Sequence, residues 1–391
     1  MNLTKDVVYV DNNATTRVAP EVIEAMMPFL ADYYGNASSI HRFGGQVRHA
    51  IDEARARLAG LLGAAPGEIV FTSCGTESDN AAILSALEND VARRKVVTTR
   101  VEHPAILGLC TALQKRGYHI EYCPVNGKGM ICLDRLCEMI DDQTAIVSVM
   151  WANNETGNIY PVINLADIAH EHGALFHTDA VQAVGKVPID LARTKIDFLS
   201  LSGHKLHAPK GVGALYIRRG TKFNPFQIGG HQEGGLRAGT ENVAGIVGLG
   251  RAALLAAENM EEERTRVAAL RDRLEAGLLA TCPNARVNGN PPSRLPNTTN
   301  ISFEFVEGES ILLMLDQFGI AASSGSACTS GSLEPSHVLR AMGVPYTAAH
   351  GSIRFSLSRY NTDAEIDLIL EKMPPIIRRL RDISPFGRDQ L

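Results

Sequence analysis

Ser202-Gly203-His204-Lys205 follows directly on Asp197-Phe198-Leu199-Ser200-Leu201, a run apolar enough to form a buried strand. At such a strand end desolvation favours the neutral amine, the form that attacks an aldehyde carbonyl. The competing use of Lys205 is an ammonium turned into water. Asp179 closes a second apolar run, where a carboxylate can keep a ring nitrogen protonated or can simply cap a helix. Gln182, three residues on, is within reach of a ring oxygen and is equally at home on a surface. Between a strand-like Ile69-Val70-Phe71 and a helix-like stretch from Asn80 lies Ser73-Cys74-Gly75-Thr76-Glu77-Ser78. Its backbone N–H groups and the Thr76 hydroxyl form a phosphate cup, although a capping box accounts for part of the same residues. An amine, a pyridinium partner and a phosphate cup are together the requirements of pyridoxal 5′-phosphate.

Three further positions belong to the same chemistry. His103, in Glu102-His103-Pro104-Ala105, can stack on a ring and pass protons, or serve only as a turn residue. Asn154 offers a side-chain amide after another strand, and Arg354, flanked by apolar residues in Ser352-Ile353-Arg354-Phe355-Ser356, suits a bidentate grip on a carboxylate or a structural ion pair. Cys328 stands in Ser323-Ser324-Gly325-Ser326-Ala327-Cys328-Thr329-Ser330-Gly331-Ser332, whose small residues neither bury a thiol nor hold it still. Such a thiol is either a travelling nucleophile or an incidental loop residue.

These residues need elements to position them. From about residue 65 to 217, β-rich runs alternate with helical stretches: 69–71, 96–99, 146–150, 174–177, 198–201 and 212–217. That alternation reads as an α/β domain with a largely parallel sheet, and the candidate residues follow the carboxyl ends of its strands, where ligands bind. A single helical pattern then runs from Val243 to Leu279, long enough to bridge two domains. Beyond it, strand-like 300–305 and 352–356 with helix-like 309–318, 336–342 and a closing helix from about 363 indicate a smaller α+β domain.

Composition narrows the class. With 45% apolar residues, 21% charged and a net charge of −5, the chain is globular and lacks the basic footprint of a nucleic-acid binder. Its first residues do not follow the order of a secretory signal and no apolar run approaches membrane-spanning length, so a cytoplasmic protein without membrane partners is expected. Seven cysteines without a Cys-x-x-Cys pair predict no intrinsic metal site and mostly small core residues.

Taken together the chain resembles the pyridoxal-phosphate cysteine desulfurases of the class-V aminotransferase family, in detail the NifS group associated with nitrogenase cluster assembly. The resemblance is carried by Asp11-Asn12-Asn13-Ala14-Thr15-Thr16, Phe71 to Ser78, Trp151 to Gly157, His177 to Lys186, Ser200 to Gly213, Arg237 to Asn242 and Ala321 to Arg359. It implies the fold-type I architecture: a large domain, residues 14–257, with a mainly parallel seven-stranded sheet, and a smaller α+β domain, residues 1–13 and 258–391, carrying a mobile loop at about 321–333. It implies catalytic roles for Lys205, Cys328 and His103, and a cofactor set of Gly75, Thr76, His103, Asn154, Asp179, Gln182, Ser202, His204, Lys205 and Thr240. Thr240 would reach the phosphate of a partner subunit in a homodimer. Asn154 and Arg354 would hold the carboxylate of L-cysteine. Cys328 would receive the sulfur as a persulfide for an iron-sulfur scaffold protein, and is a candidate transient cluster ligand. The alternatives are a housekeeping cluster desulfurase, a selenocysteine or cystine lyase, and a non-catalytic scaffold. Two departures stand out: Ala37 where proline is expected, and the segment Glu233-Gly234-Gly235-Leu236-Arg237, which lacks a basic residue expected before Arg237.

Overall fold

The computed structural model describes residues 7–324 and 335–384. Cys328, and with it residues 325–333 of the expected loop, lies outside the described residues. Among the described residues thirteen strands in chain order are β1 (Val8–Tyr9), β2 (Ile69–Thr72), β3 (Lys95–Thr99), β4 (His119–Cys123), β5 (Thr144–Ser148), β6 (Leu175–Asp179), β7 (Phe198–Ser202), β8 (Gly213–Ile217), β9 (Ala285–Val287), β10 (Thr298–Phe303), β11 (Ile320–Ala321), β12 (Ser323–Ser324) and β13 (Ser352–Ser356). Seven of them form one sheet in the order β2-β8-β7-β6-β5-β3-β4, parallel throughout except for β8. The expected α/β class and largely parallel sheet are therefore observed. The sequence reading missed edge strand β4, whose mixed exposure breaks the apolar signature that marks its neighbours.

Helices α1 (Pro20–Ala31), α2 (Arg42–Leu62), α3 (Gly75–Asn89), α4 (Pro104–Lys115), α5 (Leu133–Met139), α6 (Val162–Glu171) and α7 (Val243–Glu258) accompany this sheet. Because side chains alternate across a strand, each buried strand feeds two cores. Val97, Val147, Phe176 and Leu199 join residues of α2, α6 and α7 in one cluster. Val96, Ile146, Phe198 and Leu215 join residues of α3 and α4 in the other. The same parity places Ser148, His177, Asp179, Ser200 and Ser202 on the α3 side of the sheet.

A third apolar cluster draws Val8 and Val10 together with residues between 267 and 377 around the antiparallel sheet β12-β13-β10-β9. Strand β1 pairs with β11, so the amino-terminal segment is stitched to this second core. The helical pattern expected to run unbroken from Val243 is instead bent by 58° between 258 and 260, with a π-helical turn at Glu263–Val267 before the helix Ala268–Thr281. Asn259 accounts for the break: its side chain donates to the Leu255 carbonyl at 2.6 Å and competes with the helix's own ladder. Among the described residues no single helix is long and apolar enough to cross a membrane.

Candidate active site

Strand ends build the site. At the carboxyl ends of the parallel strands a cavity of about 350 Å³ is lined by Gly75 and Thr76 after β2, His103 after β3, Asn154 after β5, Asp179 and Gln182 after β6, and Ser202, His204 and Lys205 after β7. Arg354 enters from β13 and Asn13 and Ala14 from the amino-terminal segment. Thr240 lines a separate concavity of about 160 Å³ with Ser73 and Arg237.

Lys205 ends a short 3₁₀ turn and donates from Nζ to the carbonyls of Asn13 and of Ala14, the latter at 2.6 Å. Gln182 donates from Nε2 to the same Asn13 carbonyl at 2.9 Å. The Asn13 side chain donates to the Asn154 carbonyl at 3.2 Å and to Thr298 Oγ1 at 2.9 Å, tying the cavity to β10. This bracing by Asp11 to Thr16 went unassigned at the sequence level, because the contacts fall on backbone carbonyls and no residue type announces them.

Asp179 Oδ1 accepts from the Val181 N–H at 2.9 Å, so the capping use and the cavity position coexist. Burial pushes its carboxyl up to about 7, with the nearby Asp79 carboxyl adding to the effect and His103 opposing it. His103 caps α4: its Nδ1 accepts from the Ala105 N–H at 3.2 Å, which puts the proton of the neutral ring on Nε2. Burial holds this imidazole below its ordinary value, Asp179 pulling the other way. His204 is held down to about 4 by burial and then by Lys205, and its Nδ1 lies 3.1 Å from Thr15 Oγ1.

The phosphate cup differs from expectation in its frame. Helix α3 begins at Gly75, five residues earlier than the helical pattern, so Thr76 to Ser78 belong to its first turn. Cys74 occupies the cap position without a side-chain cap bond, while Glu77 accepts from the Ser73 N–H at 2.8 Å and pairs with Arg237 at 2.9 Å. The capping-box alternative is thus only half used, and first-turn N–H groups, which have no carbonyl one turn earlier, face the cavity end of the helix. Gly75 is required by close approach: a Cβ there would lie 2.7 Å from Val181 Cγ2.

Arg354 is 4% exposed and already engaged, donating from Nη2 to Asp11 Oδ1 at 2.7 Å and from Nη1 to the Asn154 carbonyl at 3.0 Å, while its Nε has no hydrogen bond. The neighbouring Glu155, buried and pushed up to about 7, accepts a hydrogen bond from Ser336, the cap of the helix His337–Ala341. The two departures are locally absorbed. Gly234 sits at φ +65, a conformation that suits glycine, and the buried Ala37 offers its carbonyl to Arg48 at 2.9 Å.

Pyridoxal phosphate fits these residues. The buried Gln182 Oε1, which has no hydrogen bond, belongs to the cavity wall, beside an acid and an amine suited to the two ends of the ring. Lys205 would supply the amine for covalent attachment, Asp179 the ring-nitrogen partner, and Gly75, Thr76, Ser202 and His204 the phosphate contacts.

The chain is 62% identical over 381 residues to a cysteine desulfurase of Gluconacetobacter diazotrophicus, covering 97% of this chain and 95% of that one. It is 60% identical over 380 residues to the cysteine desulfurase NifS of Azotobacter vinelandii, covering 97% and 94%. Among solved structures a NifS-like protein superposes with a TM-score of 0.90 at 40% identity, covering 96% of this chain and all of the other. The family description "Aminotransferase class-V" matches residues 8–369, and the chain with its mainly parallel sheet and strand-end cavity belongs to that family.

Proposed function

We propose that this chain is a pyridoxal-phosphate-dependent cysteine desulfurase, converting L-cysteine to L-alanine and leaving the sulfur on Cys328 as a persulfide. The observation that carries the reading is the convergence of Lys205, Asp179, His103, Gly75, Thr76 and Arg354 on one cavity. When bound, the cofactor supplies an aldehyde for amine attachment and an electron-accepting ring. Lys205 Nζ is the base for the substrate's Cα proton, and Asp179 keeps the ring nitrogen protonated. His103 carries a proton on Nε2 between substrate sulfur and the reacting carbons. Arg354, through its unbonded Nε, and Asn154 hold the substrate carboxylate. In the sulfur step the substrate's C–S bond breaks and an S–S bond forms on Cys328, so that cysteine plus thiol becomes alanine plus persulfide without any outside oxidant.

We further read the persulfide as sulfur for iron-sulfur cluster assembly by a scaffold protein in the cytoplasm, and for nitrogenase maturation in particular, a reading supported by the 60% identity to NifS. A homodimer is supported by Thr240, which stands outside its own chain's cavity, and by exposed Ile23, Met27, Leu30, Phe226 and Ile228. The division into residues 14–257 and residues 1–13 with 258–391 is supported by the β1–β11 pairing and the separate third cluster. Leu295, Val338 and Leu339 cross it, packing into the core of the larger part.

The test is alanine and sulfide release from L-cysteine with a reductant, wild type beside Cys328→Ala. Equal yields of both products from wild type, lost in the variant, are expected. Undiminished product from the variant would remove the persulfide route and favour a selenocysteine or cystine lyase.

A further inference from the structure

A second carboxyl stands in the wall of the same cavity without a part in the roles above. Asp79 lies one turn inside α3 from Gly75, is 1% exposed, and faces the polar stripe of the sheet. Its Oδ1 has no hydrogen bond, although His177 Nε2 is 3.5 Å away. His177 is itself spanned by two hydroxyls, Ser148 Oγ 2.8 Å from Nδ1 and Ser200 Oγ 2.9 Å from Nε2. Ser200 also lies beside the Asp79 carboxyl and favours its ionised form. With a neutral imidazole the pattern has two senses: an ionised Asp79 calls for Ser148 donating to Nδ1 and Nε2–H donating to Ser200, whereas a protonated Asp79 can turn its O–H toward Ser200, which then donates to Nε2 while Nδ1–H donates to Ser148.

Among the described residues no cation completes this chain, and the cavity's Arg354 is paired with Asp11. The ionisable groups around Asp79 are Asp179 and the neutral His177 on β6, Glu102 and His103 at the start of α4, and Lys205, whose Nζ is directed to the Asn13 and Ala14 carbonyls. An ionised Asp79 would therefore bury a charge with one oxygen unbonded, beside another carboxylate in the same wall. Two carboxyls so placed shed only one proton readily. Asp179 is the better holder of the charge, having the Val181 N–H and the attraction of His103.

We propose that Asp79 is a neutral carboxylic acid in the folded protein and a positioning residue, anchoring the Ser200–His177–Ser148 chain so that the single negative charge of the pair resides on Asp179 toward the cofactor's ring nitrogen. Burial, opposed by Ser200, pushes Asp79 up to about 7, as it does Asp179.

This rests on the cofactor reading above, and the experiment separates the two. Infrared difference spectra of the full chain, wild type against Asp79→Asn at pH 7 without cofactor, should show a carboxylic-acid C=O band that the variant lacks. Pyridoxal phosphate titrated by absorbance should bind the Asn variant within about threefold of wild type, since the amide keeps shape and neutrality, and Asp79→Ala about tenfold or more weaker. Carboxylate bands in place of the acid band would overturn the proposal, as would an Asn variant as weak as Ala or an Ala variant as tight as wild type. Should Asp79→Ala not fold, the infrared and Asn results decide. A protein that binds no pyridoxal phosphate would refute the cofactor reading and leave Asp79's proton to the infrared result.

Discussion

The cavity around Lys205 is lined by the first turn of α3, and the concavity around Thr240 by Arg237, which pairs with Glu77 of that turn, yet they control charge by opposite means. In the cavity wall burial dominates: Asp79, Asp179 and the neighbouring Glu155 are pushed up to about 7, and His103 and His204 are held down. Around Thr240 partners dominate. Burial would lift Glu77, but hydrogen bonds from Arg237 and Ser73 bring its carboxyl below the usual range, and Glu77 in turn raises Arg237. Arg55 and Glu233 form a second such pair at 2.6 Å. One region shifts its ionisable groups toward their neutral forms through desolvation, whereas the other holds fixed charges in pairs.

The sharpest way to break the contrast is to remove the amine. Lys205→Ala should lower desulfuration by at least about 1,000-fold, because the covalent anchor and the Cα base are lost with one amine. It should also abolish the absorbance of covalently bound cofactor, and a variant that keeps either would sink the assignment. Arg354→Ala comes next. It removes a buried, charge-assisted contact and should raise KM for L-cysteine by about 10- to 100-fold. Unchanged KM would move the carboxylate site elsewhere.

Glu155 tests the burial half of the comparison through pH. Its folded pKa of about 7 exceeds the ordinary 4.5, so the unfolded chain gives up the proton first. The stability it contributes is present below pH 4.5 and is lost as pH rises through 7. The urea midpoint of Glu155→Gln should therefore gain on wild type between those limits and run parallel to it above them. A constant difference across the range would mean that Glu155 is ionised throughout. The smallest effect belongs to the paired region: Arg237→Ala should cost about 1 kcal/mol or less, since its guanidinium remains partly solvated, and a thermal melt at low and high salt would show the loss shrinking with salt.

Much of the site was legible because chemistry that needs several groups at one point draws them from strand ends, and strand ends announce themselves. Lys205, Asp179, His103 and Asn154 each follow an apolar run, and all four reach the cavity. Asn13 and Ala14 were not legible in the same way, since they contribute carbonyls. Asp79 was hidden inside a helix, where an acid ordinarily faces water.

Residue types and their order determined which groups were available and that a parallel sheet would carry them, because apolar runs bury themselves and the turns after them fall at one edge. Three matters lay beyond that reach. Thr240 shares a motif-rich sequence with the cavity residues but stands in another concavity, the single helical pattern after it is bent at Asn259, and Arg354 meets Asp11 from the far end of the chain. Each depends on which surfaces meet across hundreds of residues, and so does the protonation of the buried acids: desolvation is a property of the surroundings, which only the packed chain supplies.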